Sequence, residues 1–109
     1  MAKPGFHQRL QALTLRQQQA FMAALTERML PNYALYADTS GHGDLAGMRA
    51  ILDLVWEQLT VKDAKIDFDL QAEKLGELEP PQQDDSFGAR RALDGVVALS
   101  AILDTLRGD

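Results

Sequence analysis

The feature that most constrains the fold is the final segment, residues 87–107, FGARRALDGVVALSAILDTLR. Apolar residues recur there at helical spacing on more than one face. Leu93 and Val97 lie to one side of a continuous apolar stripe. That stripe consists of Val96, Leu99, Ile102, Leu103 and Leu106. Because a helix that is apolar over so much of its circumference must be covered on two sides, the sequence predicts a long, largely buried C-terminal helix.

The second side of this helix must be covered either by earlier helices or by another copy of the chain. The second option predicts a homo-oligomer, most simply a two-fold dimer. The residues expected in the contact are Leu93, Val97, Leu99, Ile102 and Leu106. Replacing Leu99 or Ile102 by aspartate is then expected to give a folded monomer.

Helical patterns extend over almost the whole chain, and no strand-like alternation is present. Pro31 is expected to kink the helix or restart it there, because proline does not fit a helix interior without cost. Helix N-caps are predicted at Thr14 (with Gln17 completing a capping box), Asp44, Asp67 and Ser86, and a C′ glycine at Gly108. The predicted helices cover residues 4–13, 15–30, 32–37, 45–59, 68–78 and 87–107, with a loop at 38–43. This pattern predicts one all-α domain, residues 1–109, built as a compact bundle of four to six helices.

Composition excludes several classes of function. The net charge is −5 and no basic cluster exceeds Arg90–Arg91, so nucleic-acid binding has little electrostatic support. The chain has no cysteine, which rules out disulfides and thiolate chemistry within one chain and fits a cytoplasmic location. The N-terminus has no signal-peptide pattern, and the longest apolar run, 96–103, is too short to cross a membrane.

Possible metal ligands are scattered. His42 and Asp44 are two residues apart, but a metal site needs three or four converging ligands. Asp63, Asp67 and Asp69 do not have the spacing of a calcium loop. We therefore expect no metal and no cofactor.

Carboxylates give a second hypothesis. Glu27, Asp53 and Glu57 would support acid–base chemistry only if two of them met across helices, whereas surface ion pairs are the default interpretation. Trp56 is expected in the core, beside Leu52. A small-ligand pocket is thus the alternative, lined by Glu27, Tyr33, Trp56 and Glu57. No catalytic residue is predicted, and an enzyme is the less favoured class.

Three blocks of sequence together resemble a known family. They are FMAALTERMLPNYALY (21–36), ILDLVWEQLTVKDAK (51–65) and VALS (97–100). In this order and spacing they are similar to the YjaG-like family of bacterial proteins, a domain of unknown function. The resemblance implies an all-helical fold in the bacterial cytoplasm and supplies no activity, cofactor or catalytic residue. Members of that family continue beyond the equivalent of Arg107, so the chain is expected to correspond to their N-terminal part.

The favoured hypothesis is therefore a non-catalytic, self-associating helical interaction module. The alternative is an enzyme or a small-ligand-binding protein that uses the predicted pocket. A nucleic-acid-associated protein ranks third because the chain is acidic.

Overall fold

The computed structural model describes residues 14–108, and these form four helices and no strand. We number the helices α1 (Leu15–Ser40), α2 (Leu45–Thr60), α3 (Phe68–Gly76) and α4 (Phe87–Leu106). The predicted all-α class and a count within four to six are confirmed for this part of the chain. The helix predicted over 4–13 lies outside the described residues.

Each helix begins at the residue that the sequence predicts. At the start of α1 the Thr14 hydroxyl accepts the Gln17 amide at 3.1 Å, and the Gln17 side chain accepts the Thr14 amide at 2.9 Å. This reciprocal pair is the predicted capping box. The other three helices have simple N-caps without the reciprocal bond, in which the side chains of Asp44, Asp67 and Ser86 each accept a backbone amide. Past the end of α4, Gly108 has a φ of +86°, as expected of a C′ glycine.

The chain does not restart at Pro31, because α1 runs through that residue to Ser40. An interior proline costs a helix about 3 kcal/mol. Pro31 itself is exposed, and the turns beyond it carry Tyr33 and Tyr36, which are 0% and 4% exposed. Burial of those two aromatic side chains offsets the cost of the proline. Gly41, with a φ of +70°, caps the end of α1 directly after Ser40. The loop between α1 and α2 is therefore shorter than the predicted 38–43.

The core lies where α1 and α4 pack along each other, with α2 against α1 and α3 against α4. Each helix carries apolar residues on one face, and burying these faces against one another gives this arrangement. The fully buried large side chains are Tyr33, Met48, Leu52, Val55, Val96, Leu99, Ile102 and Leu103. No helix within residues 14–108 combines the length and apolar character needed to cross a membrane.

The two sides of α4 differ. Val96, Leu99, Ile102 and Leu103 are buried, so the predicted stripe faces the interior. Leu93 and Val97 are 40% and 58% exposed. Leu99 and Ile102 thus lie in the core of the chain, and the expectation that they contribute to an external contact is wrong. The reason is that α1 and its neighbours already cover the side of α4 on which they sit.

Candidate functional site

A cluster of three charged side chains and one indole joins α1 to α2. We call it the Glu27–Arg49 cluster, and its residues are Glu27, Arg49, Asp53 and Trp56. The Arg49 guanidinium donates from Nη1 to Glu27 Oε2 at 2.7 Å and from Nη2 to Glu27 Oε1 at 2.5 Å. It also donates from Nε to Asp53 Oδ1 at 2.9 Å. The indole Nε1 of Trp56 donates to Glu27 Oε1 at 3.0 Å. The Glu27 carboxylate thus accepts two hydrogen bonds from the Arg49 guanidinium and one from the Trp56 indole, all from α2.

Helical spacing on α2 brings these partners together. Arg49, Asp53 and Trp56 follow at four and three residues, so they share one face of the helix. The adjoining face buries Met48 and Leu52 in the core. The cluster therefore lies at the rim of the α1–α2 contact, where Glu27 and Arg49 side chains keep 35% and 39% of their surface exposed.

The electrostatics of the cluster keep both partners charged. Hydrogen bonding from Arg49 lowers the pKa of Glu27, helped by the Trp56 hydrogen bond and opposed by partial burial. The same hydrogen bond raises the pKa of Arg49. Glu27 is therefore ionised at neutral pH with its oxygens already engaged, an arrangement unsuited to a general acid. Two carboxylates face one guanidinium, so the cluster has a net charge of about −1 at neutral pH.

A groove of about 570 Å³ opens to solvent beside this cluster. Its volume lies in the range of small-molecule sites, roughly 300–1,000 Å³. Glu27 and Arg49 form the polar part of its lining. The rest is apolar and consists of Leu30, Pro31, Ala34, Leu45 and Ala46.

Pro31 interrupts the hydrogen-bond ladder of α1 beside the groove. In a regular helix the amide at position 31 donates to the carbonyl oxygen of residue 27. Proline has no amide hydrogen, so the Glu27 carbonyl lacks its helical donor. Both residues line the groove.

The structure brings together only part of the predicted ligand site. Glu27 and Trp56 meet in the Glu27–Arg49 cluster. Trp56, expected in the core, is half-buried: its ring packs against the core, and its polar edge points to the carboxylate. Glu57 is exposed and is not part of the cluster. It faces away because α2 turns it to the side opposite the buried residues.

Tyr33 has a separate role, because its hydroxyl links the start of α2 to the segment after α3. Its hydroxyl donates to the Leu78 carbonyl at 2.8 Å and accepts the Asp44 amide at 3.0 Å. Burial raises its pKa. Gly43 permits this approach, since its φ is +97° and a Cβ there would lie 2.8 Å from the hydroxyl oxygen. Tyr33 is thus a buried structural residue rather than a pocket wall.

Sequence reasoning missed Arg49 as the residue that organises the site. The sequence indicates only its pairing with Asp53, four residues away, which is present at 2.8 Å. The other partner of Arg49, Glu27, lies 22 residues away along the chain, beyond the reach of a local pairing rule. Helical periodicity assigns each residue to a face, and the choice of facing helix is a tertiary property.

Two of the residues considered as possible metal ligands cap helices. Across residues 14–108, no three His, Asp or Glu side chains are grouped so that they would hold a metal ion. Asp44 and Asp67 cap α2 and α3.

The exposed side of α4 is a second candidate surface. Leu93, Val97 and Ala101 follow at four-residue intervals and are all exposed; we call them the α4 stripe. Arg90 and Asp94, also exposed, flank it with opposite charges. The stripe is therefore an apolar strip with both signs of charge at its edge.

Comparison with known proteins assigns the chain to a family. Residues 5–109 match the family model described as protein of unknown function (DUF416). The chain is 48% identical over 104 residues to the uncharacterized protein YjaG of Escherichia coli (strain K12), covering 94% of this chain and 53% of that protein. It is 46% identical over 102 residues to an uncharacterized protein of Haemophilus influenzae, covering 92% of this chain and 52% of that protein.

The fold has a solved counterpart as well. The crystal structure of a DUF416 family protein from Shewanella baltica OS155 matches with a TM-score of 0.92 and 38% identity, over 97% of this chain and 55% of that chain. The resemblance seen in the three sequence blocks is confirmed. The chain spans about half the length of the curated relatives it matches.

Proposed function

The chain belongs to the DUF416 family, and we propose that it is a non-catalytic helical interaction module that pairs with a second copy through the α4 stripe. The observation that carries this proposal is the exposure of Leu93 and Val97, at 40% and 58%, on a helix whose other side is buried. Apolar side chains exposed in a row favour a contact with another surface.

A second copy fits this surface for a reason of charge. Arg90 and Asp94 flank the stripe with opposite signs. In a two-fold contact the same surface meets itself, so a basic residue of one copy is able to face an acidic residue of the other. Like charges alone would oppose such pairing.

The strength of the contact follows from its apolar content. Burying a leucine or valine side chain fully is worth about 1.5–3 kcal/mol, so the four side chains of two copies contribute at most about 6–12 kcal/mol. Association costs on the order of 4–15 kcal/mol before any contact is made. Even the most favourable difference, about 8 kcal/mol, corresponds to micromolar affinity, so we expect a weak dimer that is no tighter than this.

Light scattering over a concentration series up to tens of micromolar tests this. The wild-type chain is expected to be a dimer at the highest concentration and Val97→Glu a folded monomer. Leu70→Glu on α3 is the matched control, because Leu70 is an exposed leucine at 42% outside the stripe and its substitution should leave the dimer intact. A monomeric wild type, or dissociation of the Leu70 variant to the same extent, would overturn the proposal.

Ligand binding in the α1–α2 groove is the second candidate function, supported by the groove's volume of about 570 Å³ and its mixed lining. Of the residues predicted for this site, Glu27 supports it directly and Trp56 through its hydrogen bond to Glu27. Tyr33 and Glu57 are not part of the proposed site. A cytoplasmic location and the lack of a cofactor stay predictions from the sequence.

A further inference from the structure

We infer that the cleft between α2 and α3 binds a free amino acid with an aliphatic side chain, which the protein holds as a zwitterion. This α2–α3 cleft has a volume of about 380 Å³. It shares no lining residue with the α1–α2 groove or the α4 stripe, so the inference does not depend on either proposed function.

Gln71 of α3 is the buried polar residue of the cleft. It is only 7% exposed, and its side-chain amide has no hydrogen-bond partner within residues 14–108. Among the same residues, the Tyr36 hydroxyl is the only side-chain polar atom that is both unpartnered and fully sealed from solvent. The Gln71 amide therefore opens onto the cleft that it lines. Because a largely buried amide without a partner is costly, Gln71 points to a ligand that forms hydrogen bonds with it.

Three charged side chains share the cleft with Gln71. Lys74 supplies an ammonium group, and Asp44 and Glu77 supply carboxylates. The salt bridges of the described residues all involve other side chains, so these three charges are not neutralised by one another. Asp44 uses its Oδ1 atom to cap α2, and within residues 14–108 no hydrogen bond engages its Oδ2. Both signs of charge are thus available to a ligand.

A zwitterion is complementary to this set of groups. Its ammonium group has three donors, which match Gln71 Oε1 and the carboxylates. Its carboxylate accepts from Gln71 Nε2 and from the Lys74 ammonium group. A simple amine would leave the donors of the cleft unused, and a simple acid would leave the acceptors unused. An α-amino acid carries both groups on adjacent atoms and satisfies donors and acceptors together.

The rest of the lining selects the side chain of the amino acid. Ala50, Ile51 and Leu54 of α2 and Leu78 after α3 offer apolar side chains. An aliphatic side chain gains free energy by leaving water for such a wall, whereas a polar one would lose its hydration without a partner. Leucine therefore represents the expected ligand class.

Nuclear magnetic resonance titration of the labelled protein tests the ligand class with four probes that share an isobutyl group: leucine, N-acetylleucine, leucinamide and isovaleramide. The first alone carries both charges. The side-chain NH₂ signals of Gln71 and the amide signal of Ile51 should shift with leucine. Leucine should bind about tenfold more tightly than each of the other three, since each lacks at least one charged hydrogen-bonding group. Glycine should also bind more weakly than leucine.

Gln71→Met tests the residue that carries the inference. Methionine keeps the length of the side chain and removes both polar groups. The variant should bind leucine about tenfold more weakly, yet its urea midpoint should rise, because an unpartnered amide leaves the interior. Gln83→Met, which replaces an exposed glutamine in the loop between α3 and α4, is the matched control and should change neither.

Lys74→Gln tests the carboxylate end of the ligand. It should weaken the binding of leucine and N-acetylleucine and leave that of leucinamide unchanged. Lys62→Gln, at an exposed lysine outside the cleft, is the control and should have no effect.

The other outcomes would overturn the inference. Leucinamide, N-acetylleucine or isovaleramide binding as tightly as leucine would exclude recognition of a zwitterion. Unshifted Gln71 signals at millimolar leucine would exclude the site. A Gln71→Met protein that is less stable than wild type would give Gln71 a structural role, and one that binds leucine as wild type does would remove Gln71 from the site.

Discussion

Pro31→Ala should stabilise the protein, because the proline interrupts α1 without being needed to pack it. The substitution restores the hydrogen bond from residue 31 to the Glu27 carbonyl, worth about 0.5–1.5 kcal/mol, and removes the clash of the ring with that carbonyl. An interior proline costs about 3 kcal/mol relative to alanine. Since Pro31 is exposed, little packing is lost in exchange.

One effect opposes this gain. Proline restricts the unfolded chain, and losing that restriction costs about 0.4–1 kcal/mol. The net increase in the free energy of unfolding is therefore about 2 kcal/mol. For a domain of this size, each kcal/mol shifts Tm by about 4–8 °C, so Tm should rise by about 8–16 °C.

Urea denaturation followed by circular dichroism gives the free energy, and calorimetry gives Tm. Pro81→Ala, in the loop between α3 and α4, serves as the control. It removes a proline without repairing a helix and should lower stability by up to about 1 kcal/mol. A Pro31→Ala protein that is no more stable than wild type would refute the reasoning, and would mean that the packing of α1 requires the proline at this position.

Three further predictions concern single side chains. Tyr33→Phe leaves the Asp44 amide and the Leu78 carbonyl without their partner, which should cost about 2–4 kcal/mol in a denaturant titration; a loss under 0.5 kcal/mol would show that water replaces the hydroxyl. Glu27 has a lowered folded-state pKa, so the stability from its ion pair is complete above the ordinary glutamate pKa of about 4.3 and is lost as pH falls through the lower folded value. Glu27→Gln should therefore flatten the loss of stability below about pH 4, and an unchanged acid profile would contradict the pairing with Arg49. Leu99→Asp places an unpaired carboxylate in the core and should unfold the chain by circular dichroism; a folded Leu99→Asp protein would mean that Leu99 is on the surface.

The parts of the fold that the sequence predicts well are those fixed by neighbours in the chain. The capping box at Thr14 needs only Gln17, and the cap at Ser86 needs only the amide of Ala89. The buried face of α4, with Val96, Leu99, Ile102 and Leu103, has apolar residues every three to four positions, a pattern that is visible in the sequence. Local chemistry determines these features, so they follow from local sequence.

Features set by distant contacts were not predicted. The continuity of α1 through Pro31 depends on the burial of Tyr33 and Tyr36, which local propensity does not include. The pairing of Glu27 with Arg49 depends on which faces of α1 and α2 meet. The separation of Tyr33 and Glu57 from Glu27 and Trp56 has the same cause, since Tyr33 is buried in the interior and Glu57 lies on the outer side of α2.

The Tyr33 hydroxyl has a consequence for how the chain opens. One oxygen atom holds the first amide of the α2 cap and a carbonyl beyond the end of α3, while its ring lies in α1. The start of α2 and the end of α3 are thereby unable to fray without breaking a bond to the middle of α1. Hydrogen exchange at the Asp44 amide then requires concerted opening of three segments, which makes the α1–α2 loop part of the same cooperative unit as the core.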